Sequence, residues 1–177
     1  IISFKPSLNV TSDWVNHALA VSGEATVGRH FKANNENFED YKGSVKGRLD
    51  VAAQSNITAG ITRERKHEKR GSPDDPGVTF GPTISFDTTF ELGGEFSTEP
   101  LIARVESEAK RTDVLDNGSI NNDDRDVWKL MIRPRLGYES FEDTALFVQP
   151  GFTARVFDVK VDDAGIDNDN QEYELLG

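Results

Sequence analysis

The chain has 177 residues, a formal net charge of −11, 36% hydrophobic residues and no cysteine. The charge argues against a nucleic-acid partner, since phosphate binding needs a basic surface, and the missing cysteines exclude disulfides and thiolate metal sites. No stretch approaches the roughly 20 apolar residues of a membrane-spanning helix. A modest hydrophobic content still allows a barrel, in which only alternate residues face lipid.

Alternation and turn residues together divide the chain into about nine strands, at 2–11, 15–31, 41–52, 57–67, 83–92, 101–111, 127–138, 145–160 and 171–176. The opening residues, Ile1-Ile2-Ser3-Phe4-Lys5-Pro6, show no signal-peptide pattern, as in a mature or trimmed chain. In the third strand Tyr41, Val45, Leu49 and Val51 oppose Lys42, Ser44, Lys46, Arg48 and Asp50. In the fifth, Ile84, Phe86, Thr88, Phe90 and Leu92 oppose Ser85, Asp87, Thr89 and Glu91. In the sixth, Leu101, Ala103, Val105, Ser107 and Ala109 oppose Ile102, Arg104, Glu106, Glu108 and Lys110. The seventh divides most cleanly. Trp128, Leu130, Ile132, Pro134, Leu136 and Tyr138 share one face, and Lys129, Met131, Arg133 and Arg135 the other. In the eighth, Leu146, Val148, Phe152, Ala154 and Val156 oppose Gln149, Thr153 and Arg155.

Successive strand residues point to opposite faces, so each segment separates an apolar environment from a wet one. The connections alternate as well. They are short near 12–14, 53–56, 93–100 and 139–144, and long, polar and rich in Asn, Asp and Gly near 32–40, 68–82, 112–126 and 161–170. Outer-membrane barrels have this alternation of short turns and long loops. A soluble sandwich or lipocalin is the alternative, with less reason to keep its long loops at one end. The expected fold is all-β: an antiparallel up-and-down transmembrane β-barrel. Bacterial barrels normally have an even strand number, so nine visible strands suggest that residues 1–177, a single domain, are part of a larger barrel.

On this reading Lys42, Lys46, Arg48, Asp87, Glu91, Arg104, Glu106, Glu108, Lys129, Arg133, Arg135 and Arg155 line the lumen. Trp14, Tyr41, Trp128 and Tyr138 sit at the membrane interfaces, where amphipathic rings gather. Opposite charges on neighbouring strands either zip the wall together or line a polar conduit. Arg104, Glu106, Glu108 and Lys110 read as an ion-pair ladder. Pro6, Pro134 and Pro150 fall inside strands, where a missing N–H calls for a bulge or a rim position.

Catalytic patterns are absent. His17, His30 and His67 fall near turns or loop ends, without HExxH, GxSxG, Walker-type or GxGxxG spacing. No catalytic residue, cofactor or resident metal is expected. Asp116, Asp123, Asp162, Asp163 and Asp167 supply hard oxygens in two loops, but without EF-hand order. Arg63-Glu64-Arg65-Lys66-His67-Glu68-Lys69-Arg70 is the strongly basic run, positioned at a strand top to meet anionic lipid heads or sugars.

Several segments carry a family resemblance: Ser12-Asp13-Trp14, Gly28-Arg29-His30-Phe31, Asn37-Phe38-Glu39-Asp40-Tyr41, Gly47-Arg48-Leu49-Asp50-Val51, Arg125-Asp126-Val127-Trp128 and Phe147-Val148. Over most of its length the chain resembles the putative β-barrel porin 2 family. That resemblance implies a bacterial outer-membrane barrel, often encoded beside exopolysaccharide biosynthesis genes, with a part in polymer export or surface organisation. The partners expected are the bilayer, lipopolysaccharide and a polysaccharide or other polar solute. Three rivals remain: a plugged barrel whose acidic loops bind a partner, an outer-membrane enzyme, and a soluble β-barrel binder.

Overall fold

The computed structural model describes residues 1–69, 71, 81–118, 120–141, 144–161 and 165–176. They form one antiparallel sheet of ten strands: β1 (Ile2–Phe4), β2 (Ser7–Thr11), β3 (Ala18–Arg29), β4 (Phe38–Ala52), β5 (Ser55–His67), β6 (Ile84–Thr98), β7 (Leu101–Val114), β8 (Val127–Phe141), β9 (Thr144–Phe157) and β10 (Asn170–Leu176). From β3 onward each strand pairs with the next in sequence, which is up-and-down topology. β1 and β2 both pair with β3, so they are one edge strand interrupted at Lys5-Pro6. The sheet thus has nine staves. Among the described residues no pairing joins the β1/β2 edge to β10, and the sheet is open. No described helix is long and apolar enough to cross a membrane.

Most strand boundaries shift by a few residues from the sequence reading, and two differences bear on the polar face. Residues 15–17 belong to the turn before β3, where His17 adopts a positive φ of 66°. Its backbone N–H donates to Asp50 Oδ2 at 2.9 Å, and Asp50 N–H donates back to His17 Nδ1 at 3.0 Å. Gly93 and Gly94 read as a connection, yet β6 runs through them to Thr98. A Cβ on Gly93 would stand 2.6 Å from Thr58 Oγ1, so the crowded neighbour, not a turn, accounts for that glycine.

The prolines are accommodated differently than expected. The β8–β9 register is broken between Ile132/Phe152 and Leu136/Val148, and its constant sum sets Pro134 opposite Pro150 inside the gap. The ladders on their other sides, Val105 with Pro134 and Leu175 with Pro150, are continuous. Both missing donors therefore fall at one level of one ladder, and neither needs a rim or a bulge. The register shifts lie elsewhere, at Asp50/Ala52 and Glu139/Phe141. Pro6 marks the break in the edge strand, with its carbonyl accepting from Ala25 N–H at 3.0 Å.

There is almost no core. Among the described apolar residues only Val114 and Ala154 are buried, while Leu136, Leu146, Leu175 and Tyr173 are each more than 60% exposed. The accessible surface is 11890 Å², where a compact monomer of this mass exposes about 8,600 Å². One uncovered sheet explains the excess. Register holds the apolar rows together: Val45, Ile61, Phe90, Ala109, Leu130 and Ala154 are successive cross-strand neighbours on one face.

Candidate functional site

The opposite face is polar from edge to edge. Following the ladders from Lys42 leads to Glu64, Asp87 and Thr112, and from Ser44 to Thr62, Thr89, Lys110, Lys129 and Arg155. Lys46 leads across Gly60 to Glu91, Glu108 and Met131, and Arg48 across Thr58 and Gly93 to Glu106 and Arg133. Asp50 leads across Asn56 to Glu95, Arg104 and Arg135. All twelve charged residues singled out from the sequence share this one face.

The face is concave. A hollow of about 440 Å³ is lined together by Ala18, Lys46, Thr58, Glu91, Glu108 and Met131, from six successive strands. In a flat sheet those strands would spread over about 24 Å. A second hollow of about 400 Å³ sits toward the long-loop end beside Lys42, Glu64, Asp87 and Lys110. A third, of about 710 Å³, lies toward the short-turn end beside His17, Asp50, Glu95 and Glu139.

Most ion pairs on this face cross between strands, and Arg48–Asp50 runs along β4. Asp87, 5% exposed, is the hub: Lys66 Nζ donates to it at 2.7 Å, Thr112 Oγ1 at 2.8 Å, and Lys110 Nζ lies at 3.0 Å. Lys46 reaches Glu91 at 2.6 Å over Gly60, whose Cβ would stand 3.0 Å from Glu91 Oε2 and 3.3 Å from Lys46 Cγ. Gly151 is the second such gap, with Arg133 and Glu174 paired across it at 3.7 Å. Lys42 pairs with Glu64 at 3.8 Å, Arg48 with Asp50 at 2.8 Å, and Lys129 with Glu108 at 3.7 Å.

The ladder expected along Arg104–Lys110 does not form as such. Arg104 bonds Glu95 with its Nε at 2.8 Å, Lys110 turns to Asp87, and Glu106 forms no ion pair among the described residues. Same-face neighbours on a strand are about 6.8 Å apart, against about 4.8 Å between strands, so the shorter reach wins. Arg135 stacks over Phe147 at 3.8 Å, and Arg155 donates to Asn170 Oδ1 at 3.2 Å. The partners Glu64, Lys66, Glu95 and Glu174 were missed, although alternation within β5, β6 and β10 placed them on the same face.

The four aromatics divide between the ends. Tyr41 and Trp128 lie near the long loops, Trp14 and Tyr138 near the short turns. Trp128 to Tyr138 spans about 34 Å of strand. At the usual barrel tilt this becomes about 26 Å of height, close to the roughly 25 Å apolar band of an outer-membrane barrel.

The long connections meet at one end and bind each other. Asn117 Nδ2 donates to Gly81 O at 2.8 Å and Arg125 pairs with Glu68, while Asn122 Nδ2 donates to Leu115 O at 3.0 Å within its own connection. Arg111 bonds Asp158 at 2.6 Å and Asp126 at 3.3 Å. Burial raises the Asp126 carboxyl above its ordinary value, and Asp113 beside it adds to the rise. The Arg111 guanidinium holds Asp158 below the ordinary value. His67 Nδ1 lies 2.7 Å from Asp40 Oδ2 with Phe38 stacked on its ring, and His30 N–H donates to Asn37 Oδ1 at 2.7 Å.

Of the candidate calcium ligands, Asp116 accepts from Asn122 N–H and Asp123 opens a single-turn helix. Asp167 accepts from Asp169 N–H and lies 3.4 Å from Lys160. Asp162 and Asp163 lie outside the described residues, as does Arg70 of the basic run. Among the described residues no three His, Cys, Asp or Glu converge as metal ligands.

A curled antiparallel sheet with a polar concave face and an exposed apolar convex face defines a class, the wall of a β-barrel. The chain belongs to the putative β-barrel porin 2 family, whose model covers residues 1–177. No curated protein and no solved structure matches the chain.

Proposed function

We propose that this chain forms the wall of a bacterial outer-membrane β-barrel whose polar face lines a water-filled conduit. The observation that carries the reading is the inversion of the sheet: apolar residues cover the convex face, and charges fill the concave one. Water on both sides would leave that apolar surface costing roughly 25 cal/mol for each Å² left wet. A bilayer removes the cost. Among the described residues both sheet edges carry unpaired backbone groups, which no strand leaves open to lipid. In a bilayer those groups must find partners, in each other or in further strands.

The lining mixes Lys, Arg, Asp and Glu with Ser, Thr and Asn, chemistry suited to a hydroxyl-rich solute of low net charge. A polysaccharide or oligosaccharide is the proposed cargo, consistent with the exopolysaccharide association that the family resemblance implies. A non-conducting barrel is the second reading, favoured by the ion pairs that reach across two strand intervals, Lys46–Glu91 and Arg133–Glu174. No catalytic role is proposed.

Detergent-extracted protein run on a gel with and without boiling tests the barrel. A mobility shift supports it, and solubility without detergent and without a shift refutes it. Single-channel recording then separates the two readings. Steps of conductance that oligosaccharides block support the conduit, and silence in a heat-modifiable protein supports the plugged wall.

A further inference from the structure

The basic run that begins at Arg63 is divided by the sheet. Glu64 and Lys66 join the polar face, while Arg63 and Arg65 stand on the apolar face about 6.8 Å apart. Arg65 lies 5.8 Å from the Tyr41 ring centroid, and Arg63 lies 5.1 Å from that of Phe86. Farther along the same cross-strand row, Arg111 lies 5.9 Å from the Trp128 ring centroid. The next row toward the short turns is the apolar row of Val45, Ile61, Phe90 and Leu130. These guanidiniums therefore mark one edge of the apolar band.

Their charge balance differs. Arg111 is neutralised by Asp126 and Asp158. Arg63 donates to Thr88 Oγ1 at 2.9 Å and forms no ion pair among the described residues. Arg65 forms none either: the nearby Glu39 carboxylate interacts with it but is paired with Arg29, and Arg65 Nη1 is buried without a hydrogen-bond partner. Guanidinium is the side chain whose planar fork matches phosphate oxygens two at a time. An anion placed between Arg63 and Arg65 would meet the outward N–H groups of the two forks and offset charge at the rim of an apolar surface.

We infer that Arg63 and Arg65 together hold the phosphate of an anionic lipid headgroup at the long-loop edge of the apolar face. The inference rests on the membrane reading above. A lipid is the occupant because its chains would continue over the apolar rows directly below, which a free phosphate has no means to cover. Tyr41 flanks the head as an amphipathic ring does at an interface, with the apolar Phe86 ring beside Arg63.

The test uses the full chain folded into neutral phosphatidylcholine vesicles, with or without phosphatidic acid. The readouts are the temperature at which the compact gel band is lost and the phosphatidic acid retained after detergent extraction. Phosphatidic acid is expected to raise that temperature and to co-purify. Arg63→Gln with Arg65→Gln is expected to weaken retention roughly 30-fold, from about 1 kcal/mol per basic residue near an anionic surface. Arg63→Lys with Arg65→Lys keeps the charge without the fork, and is expected to fall between. Gel mobility in neutral vesicles checks that each variant folds. Equal retention by wild type and the glutamine pair overturns the inference. So does equal protection by inorganic phosphate in neutral vesicles, which marks a free-anion site. Folding in neutral vesicles without any response to phosphatidic acid removes the lipid site and leaves the barrel standing. Failure to fold in either vesicle removes both.

Discussion

Asp87→Asn strikes the hub of the polar face. The native carboxylate is nearly fully buried and gathers two ammonium groups and a hydroxyl, all within 3.0 Å. Asparagine keeps the shape and the bond from Thr112 but removes the charge that holds Lys66 and Lys110 together. A hydrogen bond to a charged group contributes about 1.5–3 kcal/mol when shielded. Side chains of Lys66 and Lys110 are 46% and 33% exposed, so each contribution is discounted to about 1 kcal/mol for screening. With the residual repulsion between the two lysines, the expected loss is about 2–3 kcal/mol. Urea titration of the folded protein in detergent, followed by loss of the compact gel band, measures it. In a conducting barrel the same substitution removes one anion from the wall, and the reversal potential in a salt gradient should shift toward anion selectivity. A loss below about 0.5 kcal/mol would refute the hub, and an unmoved reversal potential in an open channel would refute the lining.

Ile132→Lys, on the apolar face, is expected to cost about 2–4 kcal/mol in vesicles if Ile132 faces lipid near mid-bilayer. Met131→Lys, one residue away on the polar face opposite Glu108, should cost under about 1 kcal/mol; equal costs would sink the assignment of faces. Gly60→Leu inserts a side chain between Lys46 and Glu91. Both ends are flexible, so the barrel should still fold with a loss of at most about 1 kcal/mol and a smaller conductance, whereas failure to fold would show the gap to be rigid. At low pH the Arg111–Asp158 pair fails. Asp158 titrates below its unfolded value, so its contribution is whole above about pH 4 and disappears as the pH falls further. Asp126 has the opposite sign, because its raised value favours the folded state as the pH falls toward 4. Fluorescence of Trp128, beneath Arg111, should therefore hold down to about pH 4 and change below it. Asp158→Asn should abolish that acid step, and a step that survives would point to another group.

Much of the wall was legible in the amino-acid order. Strand alternation has a period of two and needs no partner to be read, so Trp128 through Tyr138 and Leu101 through Lys110 declared their two faces unaided. Loop composition also declared which connections are long. Alternation could equally have placed a soluble sheet on a covering layer, and it left Glu64, Glu95 and Glu174 unassigned because their importance lies in what stands opposite.

Register belongs to the tertiary structure, since it depends on how strands distant in sequence align. It alone sets Pro134 against Pro150, bridges Lys46 to Glu91 over Gly60, and turns Lys110 from Glu108 toward Asp87. It also sets Tyr41 and Phe86 beside Arg65, and Asp87 within reach of Lys66. The sequence by itself determined that there are two faces and what each is made of, because side-chain direction follows from the local backbone. Only the folded sheet decided which charges meet and which face is concave, because both depend on the alignment and curl of strands whose neighbours lie dozens of residues away.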